Sequence, residues 1–418
     1  MVNHCTWARG GRTASVLAGL RLALISTAKH CSRMNQGSDV HSPADPGSQA
    51  GPGYPGSMTS TPLGIPMFGA RGATTRPTPT GSSPERGSSP FLVDTHGRRA
   101  IDLRVSLTDK CNLRCTYCMP AEGLEWLPGQ ELLTDEELLR LIGLAVDRLG
   151  VTEVRFTGGE PLLRKGIVEL VDAVGRLEAR PEMSVTTNGI GFARRAEAFV
   201  AAGLDRINVS LDTLDRDTFA ALTRRDRHRD VLAALEAAVS VGLTPVKINT
   251  VLLRGVNDHE AADLLQFAVE RGYHLRFIEQ MPLDAGHEWS RTSMVTADEI
   301  QSALAQRFTL TPDPTARAGA PAELFEVNGG PATVGIIASV TRPFCGACDR
   351  TRLTADGQIR NCLFASGETD LRGMLRGGAT DDEIADAWRL AMWRKLPGHG
   401  INDPSFLQPD RPMSAIGG

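Results

Sequence analysis

Between residues 101 and 278 the chain alternates short β-branched, apolar runs with stretches whose apolar side chains recur every three or four positions. The runs at 101–107, 153–157, 183–187, 206–211, 244–251 and 274–278 are bounded by polar turns and predict strands. The stretches between them predict amphipathic helices with readable ends. Thr134 with Glu137 forms a capping box ahead of Leu138, Leu141, Ile142, Ala145 and Leu149, which share one face, and Gly150 stops that helix. Asn257 with Glu260 opens another, closed near Gly272, and Val231, Leu235, Ala238 and Val239 mark a third that ends at Gly242. Repeated β–α units imply a parallel sheet with right-handed crossovers. Six strands rather than eight predict an incomplete (β/α)6 TIM-like barrel, open on one side.

The pattern breaks after a further capping box at Thr296 and Glu299, where 312–321 is rich in Pro and Ala. A helix at about 380–394 and a Gly-ended tail follow. The expected organisation is a barrel over 91–310 and a C-terminal α+β region over 311–418. Residues 1–90 are expected to be disordered, because 38–90 is dominated by Gly, Pro, Ser and Thr and cannot bury enough apolar area to offset chain entropy. The first 34 residues carry basic side chains and no acid. Two readings stand: a start codon placed too early, with Met58 or another Met as the real start, or an organellar transit peptide. The cytoplasm is the expected compartment, with the mitochondrial matrix as the alternative if the segment is a transit peptide.

Composition narrows the function classes. The apolar stretch 16–25 is interrupted by Arg21 and too short to span a bilayer, so no membrane association is expected. A formal net charge of −4 gives no general attraction to nucleic acid, so an anionic substrate needs a local basic cluster. Of eight cysteines, six fall in two groups, Cys111, Cys115, Cys118 and Cys345, Cys348, Cys362, while Cys5 and Cys31 are incidental. Grouped cysteines in a large chain favour metal ligation and a reducing compartment over disulfides.

The first group has the spacing Cys-x3-Cys-x2-Cys and directly follows the first predicted strand. Three thiolates on one short loop can hold three irons of a 4Fe-4S cube and leave the fourth iron open. The second group, Cys-x2-Cys-x13-Cys, again offers three ligands. It fits a second 4Fe-4S cluster with an open iron, or a zinc site completed by His399. Beside it, Arg350 and Arg352 flank Thr351, and paired guanidiniums suit a polyphosphate.

The cysteine loop, together with Thr157-Gly158-Gly159-Glu160-Pro161 one β–α unit later, resembles the radical SAM superfamily. That resemblance implies S-adenosylmethionine on the open iron, a Gly-Gly-Glu segment serving its methionine end, and Tyr117, Gly159, Ser210 and Met281 as binding positions. The second cysteine group with its Arg-x-Arg, and the terminal Gly417-Gly418, narrow the likeness to the radical SAM cyclases that act on GTP at the start of molybdenum-cofactor biosynthesis. From this family the expected GTP contacts are Arg104, Arg155, Thr186, Lys247, Arg350, Thr351 and Arg352, joined by Arg276, converging at one barrel mouth. Gly417 and Gly418 are expected to reach the active site. The resemblance further implies an electron donor of flavodoxin or ferredoxin type, product hand-off to the downstream cyclic pyranopterin monophosphate synthase, and a homodimer as one allowed assembly. The rivals are a radical SAM enzyme maturing a peptide or another cofactor, and a zinc-stabilised binding module.

Overall fold

A computed structural model describes residues 89–315 and 319–417; the expectation for 1–90 falls almost wholly outside this range, as does Gly418. All six expected strands are present: β1 Asp102–Ser106, β2 Glu153–Thr157, β3 Glu182–Thr187, β4 Arg206–Ser210, β5 Lys247–Val251 and β6 His274–Ile278. They pair in parallel and in sequence order. β5 starts three residues later than expected, after Pro245, which has no N–H to give to a ladder.

Six further strands, β7 Leu310–Pro312, β8 Glu323–Val327, β9 Thr333–Ile337, β10 Arg350–Leu353, β11 Gln358–Arg360 and β12 Thr369–Asp370, come from the C-terminal segment. They extend the barrel sheet at both edges. β10 lies parallel to β1 and β9 parallel to β6, so eight parallel strands run in the order β10-β1-β2-β3-β4-β5-β6-β9. Antiparallel β11 and β12 continue one edge, β8 and β7 the other. The sheet order has two free ends, as an open barrel requires.

Strand alternation separates the two faces. Leu103, Val105 and Phe156 are fully buried under the helices. Arg104, Arg155, Thr186, Asn249 and Arg276 face the bore instead. The capping boxes at Thr134 and Thr296 both form, as does one at Thr380 ahead of the helix Asp381–Trp393. Two expectations change. Val239 is 42 % exposed and lies off the buried face formed by Val231, Leu235 and Ala238. Asn257 makes no cap: its Nδ2 donates to the carbonyls of Asp212 and Val251, and Glu260 accepts from Leu214 N–H, so both residues tie the helix to the loop after β4. Among the described residues no helix is long and apolar enough to cross a membrane.

Candidate active site

The Gly-Gly-Glu segment braces the cysteine loop. Gly158 has φ +142°, and a Cβ there would sit 2.4 Å from the Thr108 carbonyl; one at Gly159 would sit 2.4 Å from the carbonyls of Asp109 and Lys110. Gly159 N–H donates to Thr108 and Glu160 N–H to Lys110, at 2.7 Å each. The glycines therefore allow close approach to the backbone just before Cys111. The Glu160 carboxylate, fully buried, accepts from Thr187 Oγ1, Asn188 N and Leu162 N. Burial still lifts it to about 7. Asn188 Nδ2 in turn donates to Asn112 inside the loop.

Cys111, Cys115 and Cys118 are free thiols. Burial pushes all three up, Cys118 to about 12, and Cys115 and Cys118 are raised further by neighbouring cysteines of the group. Buried sulfurs that oppose each other's ionisation are what a cationic iron–sulfur group relieves. Among the described residues no three His, Cys, Asp or Glu side chains close around a point as ligands of a single metal ion do. The donor set, all thiols on short loops, suits a cluster.

Above the bore, Tyr117 donates to Asp212 Oδ2 at 2.7 Å, while Asp212 Oδ1 accepts from Val251 N at 2.9 Å. Burial brings the Asp212 carboxyl up to about 6. Asp212 went unread in the sequence, although an acid just past the C-terminal end of a barrel strand is a recognisable signal. Tyr117, Asp212, Ser210 and Met281 line one end of a cavity of about 280 Å³. Cys345, Cys348 and Cys362 line the same cavity, together with Arg104, Arg155, Thr186, Arg276, Arg350 and Arg352.

These guanidiniums outnumber their counter-charges. Asp102 lies 3.6 Å from Arg104 and 3.5 Å from Arg155, and Arg350 faces Asp349 at 3.8 Å. Arg104 Nε, Arg155 Nε and Arg350 Nη2 are buried without a hydrogen-bond partner. Burial and mutual repulsion bring Arg104 and Arg276 down to about 10 and Lys247 to about 7. Such a cluster is built for an anion. The arginines lie along the bore rather than at one mouth, since Arg350 and Arg352 stand on β10 level with Asp102 and Arg104 of β1. Lys247 is half-buried beside them without lining the cavity. Thr351 is set apart: alternation turns it to the other face, where its hydroxyl accepts from Trp388 Nε1 at 3.1 Å.

In the second cysteine group, Cys345 and Cys348 lie just before the N-terminal end of β10. His399 does not complete a zinc site. Its Nδ1 accepts from Ile401 N–H, so Nε2 carries the proton that it shares with the Ser339 carbonyl at 3.0 Å, and neither nitrogen is left for a metal. Lys395, also unread in the sequence, is buried and donates to Cys348 Sγ at 3.2 Å. Burial raises the Cys348 thiol, but the charges of Arg350 and Lys395 outweigh it and bring it to about 6.

The C-terminal tail returns to the first cysteine group. Gly417 is buried with φ +84°, a Cβ on it would meet Thr157 Cγ2 at 2.9 Å and Ser106 Cβ at 3.1 Å, and its carbonyl accepts from Arg352. Arg411 pins the approach to it, pairing with Asp356 at 2.7 Å and Glu368 at 2.9 Å.

The three-cysteine loop at the head of β1 and the open parallel barrel define a radical SAM protein. Residues 105–268 match the family model of the radical SAM superfamily, and 273–401 that of Molybdenum Cofactor Synthesis C. Over 337 residues the chain is 65% identical to GTP 3′,8-cyclase of Streptomyces coelicolor, covering 80% of this chain and 99% of the relative. It is 60% identical over 367 residues to GTP 3′,8-cyclase of Mycolicibacterium smegmatis, covering 86% and 100%. A solved structure of tagged anSMEcpe with bound AdoMet shares the fold, with a TM-score of 0.50 at 14% identity over 72% of this chain and 79% of the other. The chain belongs to the GTP 3′,8-cyclase family.

Proposed function

We propose that this protein converts GTP into (8S)-3′,8-cyclo-7,8-dihydroguanosine 5′-triphosphate, joining ribose C3′ to guanine C8 in the first step of molybdenum-cofactor biosynthesis. The observation that carries this reading is one cavity lined by both Tyr117 beside the first cysteine group and the thiols of the second, with five arginines between them. It is supported by 65% identity to a relative named for that reaction.

When bound, a 4Fe-4S cluster on Cys111, Cys115 and Cys118 with S-adenosylmethionine supplies hydrogen-atom abstraction at C3′. The chain's own residues do the rest. Gly158, Gly159 and Glu160 fix the cysteine loop against β2. Tyr117, Ser210 and Met281 wall the S-adenosylmethionine end of the cavity, with Asp212 holding the Tyr117 hydroxyl. Arg104, Arg155, Arg276, Arg350 and Arg352 hold the triphosphate, and Lys247 adds charge beneath them. Cys345, Cys348 and Cys362 hold a second 4Fe-4S cluster that faces the guanine ring. Gly417 and Gly418 help to position the GTP for hydrogen abstraction, and the C-terminal region shields the half-open barrel from water, as a carbon-centred radical requires. A flavodoxin- or ferredoxin-like donor provides the electrons, and six reduced thiols fit a reducing cytoplasm.

Anaerobic incubation with GTP, S-adenosylmethionine and dithionite tests the reading. The expected products are 5′-deoxyadenosine and an isomer of GTP, from protein holding about eight irons per chain. Formation of 5′-deoxyadenosine without any isomer of GTP rejects GTP as the substrate.

A further inference from the structure

Among the described residues, Lys395 is the one lysine that is fully enclosed, 4 % exposed. Its ammonium reaches the Arg350 carbonyl at 2.8 Å, the Cys348 carbonyl at 3.5 Å and Cys348 Sγ at 3.2 Å. Two of these partners are neutral carbonyls, which leaves the sulfur as the one partner able to carry negative charge. The buried ammonium is thus aimed as an N–H donor at the sulfur of a proposed cluster ligand, the one of its three partners that a bound cluster would make electron-rich.

The segment that carries the lysine is locked in place. Lys395 N–H closes on Met392 after the helix Asp381–Trp393. Leu396 and Pro397 offer their carbonyls to Arg98, at 2.6 and 3.0 Å. The same guanidinium donates to the Cys345 carbonyl at 2.7 Å and is paired with Asp94. Arg98 thus staples the residues after the lysine to the cysteine loop, which fixes the backbone from which the ammonium reaches Cys348.

We propose that Lys395 is the charge partner of Cys348 in the second iron–sulfur cluster, a positioning residue that raises the reduction potential of that cluster. The inference rests on the second cluster proposed above. An N–H donor at a ligand sulfur draws electron density from the iron and favours the more negative, reduced state; hydrogen bonds to sulfur are among the terms that set cluster potentials.

The test isolates the second cluster by using full-length Cys115→Ala protein, reconstituted anaerobically, with and without Lys395→Met. Iron analysis comes first: about four irons per chain are expected in the Cys115→Ala parent. Parent protein without that iron has no second cluster, and then the underlying reading and this inference both fall. With iron present, redox titration followed by electron paramagnetic resonance reads the cluster itself. Lys395→Met should lower the reduced-to-oxidised ratio about tenfold at a fixed potential, equivalent to about 59 mV for a one-electron couple. Lys395→Arg, which keeps the cation, should restore most of the shift. Loss of iron in Lys395→Met alone, with Lys395→Arg retaining it, also supports the charge pairing. An unchanged potential in iron-loaded Lys395→Met, or equal loss of iron in both variants, overturns the proposal and leaves Lys395 a loop fastener.

Discussion

Lys247 allows the cationic bore to be tested by counting protons. It opens β5 level with Asn208 and His274, and burial, then the charges of Arg276, Arg206 and Arg155, bring it from 10.5 to about 7. Keeping that ammonium charged in the GTP-free protein costs roughly 4–5 kcal/mol, at about 1.4 kcal/mol per pH unit. The folded value lies below the unfolded one, so between about pH 7 and 10.5 the unfolded chain holds the extra proton. Stability should therefore rise with pH across that window, and the full penalty applies below it. A bound triphosphate reverses the local field and recharges the amine. GTP binding should then take up roughly half a proton at pH 7 and close to one at pH 8.5. Calorimetry at pH 8.5 in two buffers of different ionisation enthalpy reads this directly, under anaerobic conditions and without S-adenosylmethionine. Lys247→Met should bind GTP without the proton, and without GTP it should melt above the parent at pH 7. Undiminished proton uptake in Lys247→Met would refute the reasoning, as would its absence from the parent.

Other residues divide the reaction into separable parts. Cys115→Ala should abolish 5′-deoxyadenosine formation, whereas Cys348→Ala should keep some of it and give no cyclised product; equal residual cyclase activity in both argues against two working cysteine groups. Tyr117→Phe leaves the buried Asp212 carboxyl short of a donor, at a cost of about 1.5–3 kcal/mol, so its melting temperature should fall, and an unchanged melt means that the pair contributes nothing. Gly417→Ala puts a methyl where Thr157 and Ser106 already stand and forces a left-handed backbone costing about 1–2 kcal/mol. Product formation should fall towards the roughly 100-fold expected of an ångström's misplacement, while iron content stays at the parental level. A parental rate of cyclisation in Gly417→Ala would show the tail to be idle.

The barrel strands were legible because each is a β-branched run that hides one face from water. β7 to β12 were not: they are two to five residues long, and β10 reads Arg-Thr-Arg-Leu. Its partner β1 lies about 250 residues earlier, and no local pattern encodes that register. Alternation did carry a warning about Thr351, since a residue between two bore-facing arginines must point the other way. The cysteines were readable because chemistry fixes their spacing. Lys395 and Arg98 were not, because a buried cation looks like any surface cation until its partners are known. Asn257 shows the converse error: a residue type that favours helix caps was taken up by the carbonyls of Asp212, after β4, and Val251, at the end of β5.

The added strands explain how one barrel can serve two distant cysteine groups. Cys111 follows the C-terminal end of β1, while Cys348 precedes the N-terminal end of β10, which lies beside β1 and runs parallel to it. The two groups are therefore offset by about the height of a strand, five residues or roughly 16 Å at about 3.3 Å per residue. A substrate that meets both ends has to lie along the bore, with its anionic part within reach of Arg104, Arg155, Arg276, Arg350 and Arg352, all of which line the cavity. Because β10 belongs to the same sheet as β1, the offset is held by backbone hydrogen bonds instead of by the packing of one domain on another. Arg352 then does two things from one strand position: its charge faces the bore, and it holds the carbonyl of Gly417 at the opposite end. Neutralising Arg352 by a bound triphosphate weakens its hold on that carbonyl, and losing the tail frees the guanidinium for phosphate. Deleting the last two residues should thus leave GTP affinity equal or slightly tighter while cyclisation collapses. Weaker GTP binding in the truncated protein would instead make the tail part of the binding site.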